Sequence, residues 1–447
     1  MYFLLFIQNC LFFPGFGKFH YLLLTICGLI YANTAIGITI ISFVLPSAQC
    51  DFRMTSEDKG ILTATPMLGM VLGSYFWGCL ADTKGRKVVL IATLFLDAFC
   101  GVDSISRDHF RALKYLISRL LFLLFSVAGA MGICFPYLGE FQPTKHREKI
   151  LCWMEMFWTL GIIVLPLIAW GIIPIDTMRY VSEYFIFDSW NLFVALCAVP
   201  SLLLGIWLFA FPESPKFMME CGDYDDALAV LKDIYHTNTG WKIRWLTMIH
   251  LISFEHKKYL ILFILIFVLL HSSYYTLMVW FPELFNRFEE FEAEHPGQSA
   301  SVCEVSGVVH DTEGVDIFCG DPIKSSVYEH TLIIGLACIP TSFILPLCVH
   351  RLGAKFFLIS SLVIAAAVTI GLYFVQNSFQ NLILSCVFEA LTSLGISLVY
   401  CVLVDLFPTN LRPPPFPLIN QRHHPAILHE ISTVIICYLC TLYILFM

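Results

Sequence analysis

The sequence predicts an all-α membrane protein whose spans fall into two groups separated by a polar segment. Of its 447 residues, 58% are hydrophobic and only 13% are charged, whereas soluble domains average about 45–50% apolar and about 25% charged residues. Apolar runs close to the roughly 20 residues that a membrane-spanning helix needs recur along the chain. This pattern excludes a soluble enzyme held by a single anchor and indicates a protein with many spans.

Eleven spans are predicted from the apolar runs. Six precede the polar segment, at 20–46, 60–81, 88–102, 115–139, 150–174 and 189–211, and five follow it, at 259–282, 331–349, 356–376, 381–404 and 431–447. Residues 1–19 are apolar but too short for a span, and they lack the basic start and small-residue cleavage site of a removable signal peptide. An interfacial segment and an atypical start of the chain both fit this stretch.

The polar segment, 212–258, is predicted to be a cytosolic linker that contains one amphipathic helix. Asp223 is a suitable N-cap for this helix, and Gly240 follows its expected end. Four apolar residues at helical spacing form a single stripe: Ala227, Leu228, Leu231 and Ile234. Such a helix favours a surface position between two membrane-embedded halves.

The charges of the loops predict the orientation of the chain. Lys and Arg concentrate in the loops that follow spans 2, 4, 6, 8 and 10, whereas the loop at 283–330 is acidic. The positive-inside rule therefore places the N-terminus and these loops in the cytosol, and the 283–330 loop on the luminal side. The loop after span 3, with Arg107, Arg111 and Lys114, departs from this pattern.

A dense charge cluster lies between spans 2 and 3. It fits the pattern G-xxx-D-xx-G-[RK]-[RK] through Gly78, Asp82, Gly85, Arg86 and Lys87. Gly85 allows a tight turn, and the cations hold the loop in the cytosol. Asp82 is placed so that its carboxylate can bind free amides at the start of a neighbouring helix and latch helix ends together. Topology alone explains the cations, but not the aspartate and two glycines at this spacing.

Further acid–base pairs end other spans on the same predicted side. They are Glu140 with Arg147 after span 4, Glu213 with Lys216 after span 6, and Asp405 with Arg412 after span 10. For each pair alone, a helix cap plus a topology charge is an alternative explanation. Together, in this order at the ends of three spans, the pairs are a stronger signal than any one of them alone.

The motif at 78–87 resembles the signature loop of the major facilitator superfamily, and FPESPKF and DLFPTNLR resemble motifs of its sugar and organic-ion transporters. Residues 15–52, 74–94 and 134–158 resemble the synaptic vesicle glycoprotein 2 family, and this resemblance covers roughly 15–412. It implies twelve helices in two six-helix bundles, with alternating access to a central site. It also implies that the partner of Asp82 lies at the start of span 11.

The chain departs from that family after Arg412, where only one further span fits. We therefore expect six spans in the N-terminal bundle, about five in an incomplete C-terminal bundle, and a luminal C-terminus. The expected divisions are an N-terminal segment (1–19), a six-helix bundle (20–211), the linker (212–258), a C-terminal bundle (259–412, with the luminal loop 283–330) and an atypical tail (413–447). Cys303 and Cys319 lie in the luminal loop, where an oxidising compartment would permit a disulfide.

Ionisable residues inside spans are costly and therefore indicate functional sites. Asp97, Glu155 and Glu389 meet this description, and the tryptophans that flank Glu155 suit a polar or cationic ligand. A structural hydrogen bond between helices is the alternative for each carboxylate. Because spans 1 and 7 line the cavity in the superfamily, the resemblance implies a second tier of solute or coupling residues: Asn33, Thr34, His271, Tyr274 and Tyr275. An interfacial anchor is the alternative for the tyrosine pair.

The function predicted from these features is secondary transport of a small polar or organic solute, with proton coupling as an option that Glu389 would serve. The alternative is a vesicle membrane protein that docks or regulates partners without transporting. An enzyme is not expected, since the sequence contains no nucleophile–base or metal constellation, and neither a cofactor nor a metal is implied. The expected partners are a small solute and the lipid bilayer, not nucleic acid. The expected location is a vesicle or plasma membrane, with the N-terminus in the cytosol.

Overall fold

A computed structural model of the chain describes residues 16–52, 54, 56–106, 113–175, 180–181, 186–187, 189–239, 260–295, 305, 324–372 and 374–406. Several sequence-based predictions fall outside these ranges and concern Gly240, Cys303, Cys319, Arg412 and the tail at 413–447. The description that follows is built on the ranges above.

The N-terminal half consists of helices joined by short connections. In chain order they are α1 (Lys18–Thr39), α2 (Ile41–Phe52), α3 (Ser56–Lys84), α4 (Arg86–Ser106), α5 (Leu113–Glu140), α6 (Thr144–Ile172) and α7 (Ser189–Leu208). Ile40 alone separates α1 from α2, and its amide donates to the carbonyl of Ile36 at 2.9 Å, so the two helices are nearly continuous. Between α6 and α7, the two-residue strands β1 (Tyr180–Val181) and β2 (Ile186–Phe187) pair antiparallel, with Tyr180 opposite Phe187.

The linker and the C-terminal half are also helical. The linker carries α8 (Pro215–Cys221) and α9 (Tyr224–Thr239), and the C-terminal half contains α10 (Leu260–Glu294), α11 (Ser325–Ala337), α12 (Ile339–Leu352), α13 (Ala354–Leu372) and α14 (Ser378–Leu406). Helix α9 lies where the amphipathic helix is predicted; Ala227, Leu231 and Ile234 are buried, and the carbonyl of Asp223 accepts from the amide of Ala227. The side chain of Asn238 accepts from the amide of Phe19 at 3.1 Å, and so α9 docks onto the start of α1.

Seven segments of the described chain are long and apolar enough to cross a membrane, which confirms an all-α protein with many spans. They are Lys18–Ala48, Asp58–Lys84, Arg119–Glu140, His146–Ile172, Ser189–Leu208, Ser325–Val349 and Ser378–Cys401. Large apolar side chains such as Phe99, Leu203 and Phe379 are exposed on the outside of the bundle. Such an apolar surface suits lipid. The backbone polar groups of a spanning helix need no partner in lipid, because they hydrogen-bond within the helix.

The helix that contains the predicted seventh span is longer than that span, since α10 continues for twelve residues beyond 282, to Glu294. Pro282 lies inside this helix. The helix persists because its continuation is packed, with Phe285 and Phe288 fully buried, and burial of each such side chain contributes roughly 1.5–3 kcal/mol. The first part of the predicted luminal loop at 283–330 is therefore helical, and its acidic residues up to Glu294 lie on α10.

Helices α3 and α5 approach each other closely through two glycines, as the Gly69-xxx-Gly73 spacing predicts. A Cβ atom at Gly69 would lie 2.4 Å from the carbonyl oxygen of Leu121, and one at Gly73 would lie 2.3 Å from that of Phe125. Small residues at such crossings let two backbones meet, which stabilises helix pairs in lipid. The indole nitrogen of Trp77 donates to the same Phe125 carbonyl at 2.9 Å, which fixes the register of this pair.

Candidate functional site

The motifs that end spans 2, 4 and 6 converge on one buried arginine at the predicted cytosolic end. The guanidinium of Arg86 is 2% exposed and binds Glu140 Oε1 at 3.1 Å and the carbonyl of Ala81 at 3.2 Å. The other oxygen of Glu140 accepts from the hydroxyl of Ser214 at 2.5 Å. This arrangement satisfies both members of the buried ion pair, as a buried charge requires. It joins the turn between α3 and α4 to the end of α5 and to Ser214, the N-cap of α8.

Glu213 caps the N-terminus of α4. One of its oxygens accepts from the amides of Arg86 at 3.0 Å and Lys87 at 3.1 Å. These are groups that a helix leaves without internal partners, and the helix dipole favours an anion at this position. Asp82, whose expected partner at the start of span 11 lies outside the described residues, is 44% exposed and lies 3.7 Å from the guanidinium of Arg86. Gly85 has the left-handed φ of +103° that this tight turn requires, as predicted.

The remaining motif residues lie around this cluster or beyond the described side chains. Arg147 donates to the carbonyl of Gln142 at 3.4 Å. Burial lowers the pKa of Lys216 from its ordinary value. The backbone at Gly78 lies within α3 and faces open space, and Asp405 belongs to the last turn of α14.

Two buried carboxylates lie where the N-terminal and C-terminal halves meet. Glu155 of α6 accepts a hydrogen bond from Ser397 of α14. Glu389 of α14 accepts from the hydroxyl of Tyr274 at 2.7 Å, and that hydroxyl accepts from the indole nitrogen of Trp158 of α6 at 2.8 Å. The chain Trp158–Tyr274–Glu389 therefore crosses from one half to the other. The second oxygen of each carboxylate, Glu155 Oε1 and Glu389 Oε2, has no hydrogen-bond partner.

A small cavity lies between the halves, and Glu389 is one of its lining residues. Helices α1, α2 and α6 of the N-terminal half line one side, and α10, α11 and α14 of the C-terminal half line the other. Three hydroxyl side chains share the wall with this carboxylate: Thr39, Ser42 and Thr331. The other lining residues are aliphatic, aromatic, proline or methionine.

Asp97 belongs to a separate polar cluster within the N-terminal half. The amide nitrogen of Asn33 donates to Ser201 Oγ at 2.8 Å and to Asp97 Oδ2 at 3.3 Å, and Ser201 also hydrogen-bonds Asp97. All three side chains are buried, and they join α1, α4 and α7. Asn33 Oδ1 has no partner. The sequence placed Asn33 and Asp97 in different tiers of candidates, whereas the fold brings them into contact.

The second-tier residues make contacts of three kinds: across the halves, between helices of one half, and within a helix. His271 lies 3.3 Å from the hydroxyl of Tyr400 within the C-terminal half. Tyr275 donates across the halves to the sulfur of Met131 at 3.7 Å. Thr34 donates to the carbonyl of Tyr31 in its own helix at 2.7 Å. The buried tyrosines Tyr274 and Tyr275 are not interfacial anchors.

An ion cluster at the predicted luminal end was missed by the sequence analysis. Lys59 of α3 lies 2.8 Å from Glu283 Oε1 of α10, and Arg287 lies 3.1 Å from the same oxygen. Lys59 and Glu283 are both buried. The i,i+4 spacing of Glu283 and Arg287 was the available signal, but it was hidden because span 7 was ended at 282. Ser42, a serine inside an apolar run, was also missed.

Comparison with known proteins shows the family of the chain. Residues 30–281, more than half of its length, match the sequence model of a family described as "Sugar (and other) transporter". The chain belongs to this family. Within the described residues, no group of three His, Cys, Asp or Glu side chains is arranged to hold a metal ion.

Curated relatives of this transporter-family chain include two synaptic vesicle glycoproteins. It is 29% identical to synaptic vesicle glycoprotein 2B of Mus musculus over 324 residues, which are 62% of this chain and 47% of the relative. It is also 29% identical to synaptic vesicle glycoprotein 2C of Mus musculus over 333 residues, which are 64% of this chain and 45% of the relative. The chain spans about half the length of the curated relatives it matches, and the predicted resemblance to this group is confirmed.

Solved structures confirm the predicted fold of this transporter-family chain. The partially occluded inward-open xylose transporter XylE from E. coli superposes with a TM-score of 0.66 at 14% identity, over 96% of this chain and 92% of that one. XylE bound to 6-bromo-6-deoxy-D-glucose, described as a major facilitator superfamily proton:xylose symporter, gives a TM-score of 0.59 at 15% identity, over 95% and 87% of the two chains. The chain is a multi-pass membrane protein with the major facilitator superfamily fold.

Proposed function

We propose that this protein is a secondary transporter that moves a small solute through the cavity between its halves by alternating access. The observation that carries the proposal is the position of Glu389. Its carboxylate is buried, belongs to the wall of a cavity lined by both halves, and is joined to the opposite half through Tyr274 and Trp158. Movement of one half relative to the other would therefore alter both the cavity and the bonds of this carboxylate.

The unpartnered polar atoms of the cavity favour transport over the alternative of a vesicle protein that only docks partners. Glu389 Oε2 and Ser42 Oγ are buried without hydrogen-bond partners, and each such atom costs about 1–3 kcal/mol. A docking protein would work through its exposed surfaces and would gain nothing from this cost. A transported solute that enters the cavity would offset it.

The location and the coupling of transport are parts of the same proposal. The names of the synaptic vesicle glycoprotein relatives support a vesicle membrane. The basic residues of the 78–87 and 212–216 segments support a cytosolic position for that end and for the N-terminus. The Asn33–Asp97–Ser201 cluster is the proposed coupling-proton site, because proton release and uptake at Asp97 would change the bonds that join three helices.

The experiment uses the ion pair that joins the halves at the predicted luminal end. In the double variant Lys59→Cys/Glu283→Cys, a bifunctional methanethiosulfonate reagent, which replaces the reach of the two lost side chains, should bridge the two thiols through mixed disulfides and fix this end closed. Purified protein in liposomes is assayed for counterflow of labelled neutral sugars, primary amines and organic acids. We expect counterflow of at least one solute, its loss when the two thiols are bridged and its return on reduction, with counterflow by the two single-cysteine variants retained after treatment with the reagent.

Two results would contradict the proposal. If no member of the panel shows counterflow in the reduced, monodisperse protein, the transport proposal fails. If the bridge forms and counterflow continues, alternating access through this cavity is excluded even though transport occurs.

A further inference from the structure

Two cysteine side chains from opposite halves are in contact near the predicted cytosolic end. Cys152 of α6 and Cys401 of α14 place their sulfur atoms 3.6 Å apart, although 249 residues of sequence separate them. Both are thiols in this structure and both are buried, with exposed fractions of 0% and 1%. Because the contact joins α6 to α14, a change in the chemistry of the two sulfurs acts on the packing of one half against the other.

The pair lies on the seam along which α6 and α14 pack. Three residues further along α6, Glu155 accepts a hydrogen bond from Ser397, which precedes Cys401 by one turn of α14. Cys152 is eight residues from the first residue of α6, and Cys401 is five residues from the last described residue of α14. At a rise of 1.5 Å per residue, the pair therefore lies about 8–12 Å from the predicted cytosolic ends of these helices.

An aromatic contact closes the same end of the seam. Phe135 of α5 stacks on Tyr400 of α14, with ring centroids 4.7 Å apart and an interplanar angle of 17°. Tyr400 precedes Cys401 in the chain, so the ring contact and the thiol contact belong to the same turn of α14. Alternating access requires this end to separate when the protein opens to the cytosol. The two sulfurs are therefore together when the end is closed, as in this structure, and apart when it is open.

The distance between the sulfurs brings a disulfide within reach. A disulfide holds its sulfurs about 2.05 Å apart, so the bond requires an approach of roughly 1.5 Å from the present 3.6 Å. Two thiols that meet in the closed state and part in the open state suit a bond that holds the closed state. Packing alone is the alternative role of the pair, since buried cysteines behave as small hydrophobes.

We propose that Cys152 and Cys401 are a reversible oxidation site, and that a disulfide between them holds the cytosolic end of the protein closed. The inference rests on the proposed function, because it names a regulation of the same transport cycle. The oxidant is a peroxide. It reaches the thiols when the cytosolic end opens, since both are buried while that end is closed.

The oxidation has two steps when the peroxide is hydrogen peroxide. The sulfur of one cysteine attacks a peroxide oxygen, the O–O bond breaks, and the products are a sulfenic acid and water. When the halves close, the other thiol attacks the sulfenic sulfur, so that the S–S bond forms and the S–O bond breaks with release of a second water. The two sulfurs lose two electrons and the peroxide gains them. Two molecules of glutathione reverse the change and become glutathione disulfide.

A second cysteine contact of the described chain supplies a matched control, because it lies within one half. Cys134 of α5 donates to the carbonyl of Cys27 of α1 at 3.3 Å, and both side chains are buried. Since α1 and α5 belong to the N-terminal half, chemistry at this contact does not join the two halves. Oxidation that acts through Cys152 and Cys401 should therefore be unchanged when Cys134 is replaced.

The test detects the bond by mass and its effect by counterflow. Full-length protein in nanodiscs is titrated with hydrogen peroxide, the remaining thiols are blocked, and the protein is digested without reductant for peptide mass spectrometry. We expect a linked Cys152–Cys401 peptide that disappears on treatment with reduced glutathione. In liposomes, counterflow of the transported member of the solute panel should fall in proportion to the linked fraction and return on reduction.

Three variants locate the effect. Cys152→Ala and Cys401→Ala should each give no linked peptide and keep their counterflow after peroxide treatment. The control Cys134→Ala should form the linked peptide and lose counterflow as the wild type does. All three are first shown to be monodisperse, and either of the first two variants is sufficient if the other does not fold.

The inference is overturned if peroxide leaves both cysteines reduced or converts them separately to sulfinic acids, because packing would then be the role of the pair. It is also overturned if the linked protein keeps full counterflow, since the bond would not hold the end closed. Its failure is separable from failure of the proposed function. A linked peptide in a protein that shows no counterflow even when reduced would contradict transport, and a higher thermal midpoint of the linked form would still support a bond that holds the halves together.

Discussion

Lys59 Nζ lies 2.8 Å from Glu283 Oε1 and joins the two halves of the protein at the predicted luminal end. The same oxygen also binds Arg287 at 3.1 Å, so that one carboxylate compensates two cations. The pair is separated by 224 residues of sequence. This contact therefore depends on the packing of one half against the other, and its two members are not equivalent.

Glu283→Gln should destabilise the protein more than Lys59→Met. Loss of the carboxylate charge leaves Lys59 and Arg287 close together without an anion, which typically costs about 3–5 kcal/mol for a buried pair. Lys59→Met leaves Glu283 paired with Arg287, so the expected loss is smaller. Unfolding of both variants in mixed detergent micelles measures the two free energies. Equal losses would contradict the arrangement of one anion between two cations.

Gly85→Ala should destabilise the turn between α3 and α4, whereas Gly78→Ala should not. A Cβ atom at Gly85 would lie 2.4 Å from Glu213 Oε2 at a φ of +103°, a backbone conformation that costs a side chain about 1–3 kcal/mol. Gly78 lies in α3 with open space around it, so alanine there should be neutral or stabilise by up to about 1 kcal/mol. The thermal midpoints of the two variants are compared in nanodiscs. A similar midpoint for both would mean that the cap formed by Glu213 does not constrain this turn.

The spans and the charge motifs could be predicted from the sequence, because hydropathy and loop charge are local properties. The hydrogen-bond partners of the motif residues could not be predicted in this way. Asp82 is the acidic residue within the signature loop, yet the carboxylate that caps α4 is Glu213, 127 residues away from Arg86. Which of two acids reaches a helix end depends on the path of the chain after α7. That path is determined by packing among helices rather than by the motif itself.

At the cavity between the halves, even less could be predicted from the sequence. Glu389 stood out as an ionisable residue inside a span, and Tyr274 as a second-tier candidate in span 7. Their contact with Trp158 of the other half carries no sequence signal, since it requires both halves to be assembled. Ser42 was missed because a serine in an apolar run usually donates to its own helix, and only the fold shows that its hydroxyl has no such partner.

Gly73→Ala should separate α3 from α5, with Gly171→Ala as the matched control. A Cβ atom at Gly73 would lie 2.3 Å from the backbone oxygen of Phe125, which cannot rotate away, whereas Gly171 in α6 has no atom within 4 Å. Overpacking of this kind typically costs about 1–3 kcal/mol. Trp77 reports the change directly, since its indole donates to the same carbonyl. We expect a lower thermal midpoint and altered tryptophan fluorescence for Gly73→Ala alone, and wild-type behaviour in both variants would contradict the close crossing.

Tyr274→Phe should weaken the junction between the halves, because one hydroxyl serves two partners. It donates to Glu389 at 2.7 Å and accepts from Trp158 at 2.8 Å. Its removal leaves a buried carboxylate with both oxygens unpartnered and a buried indole N–H without an acceptor, at a cost of about 1–3 kcal/mol for each group. Tyr275→Phe is the control, since the bond of Tyr275 to the sulfur of Met131 is 3.7 Å long and thioether sulfur is a weak acceptor. Unfolding in mixed micelles should show a clear loss for Tyr274→Phe and a smaller one for Tyr275→Phe. Equal losses would mean that ring packing, rather than the Trp158–Tyr274–Glu389 chain, stabilises this contact between the halves.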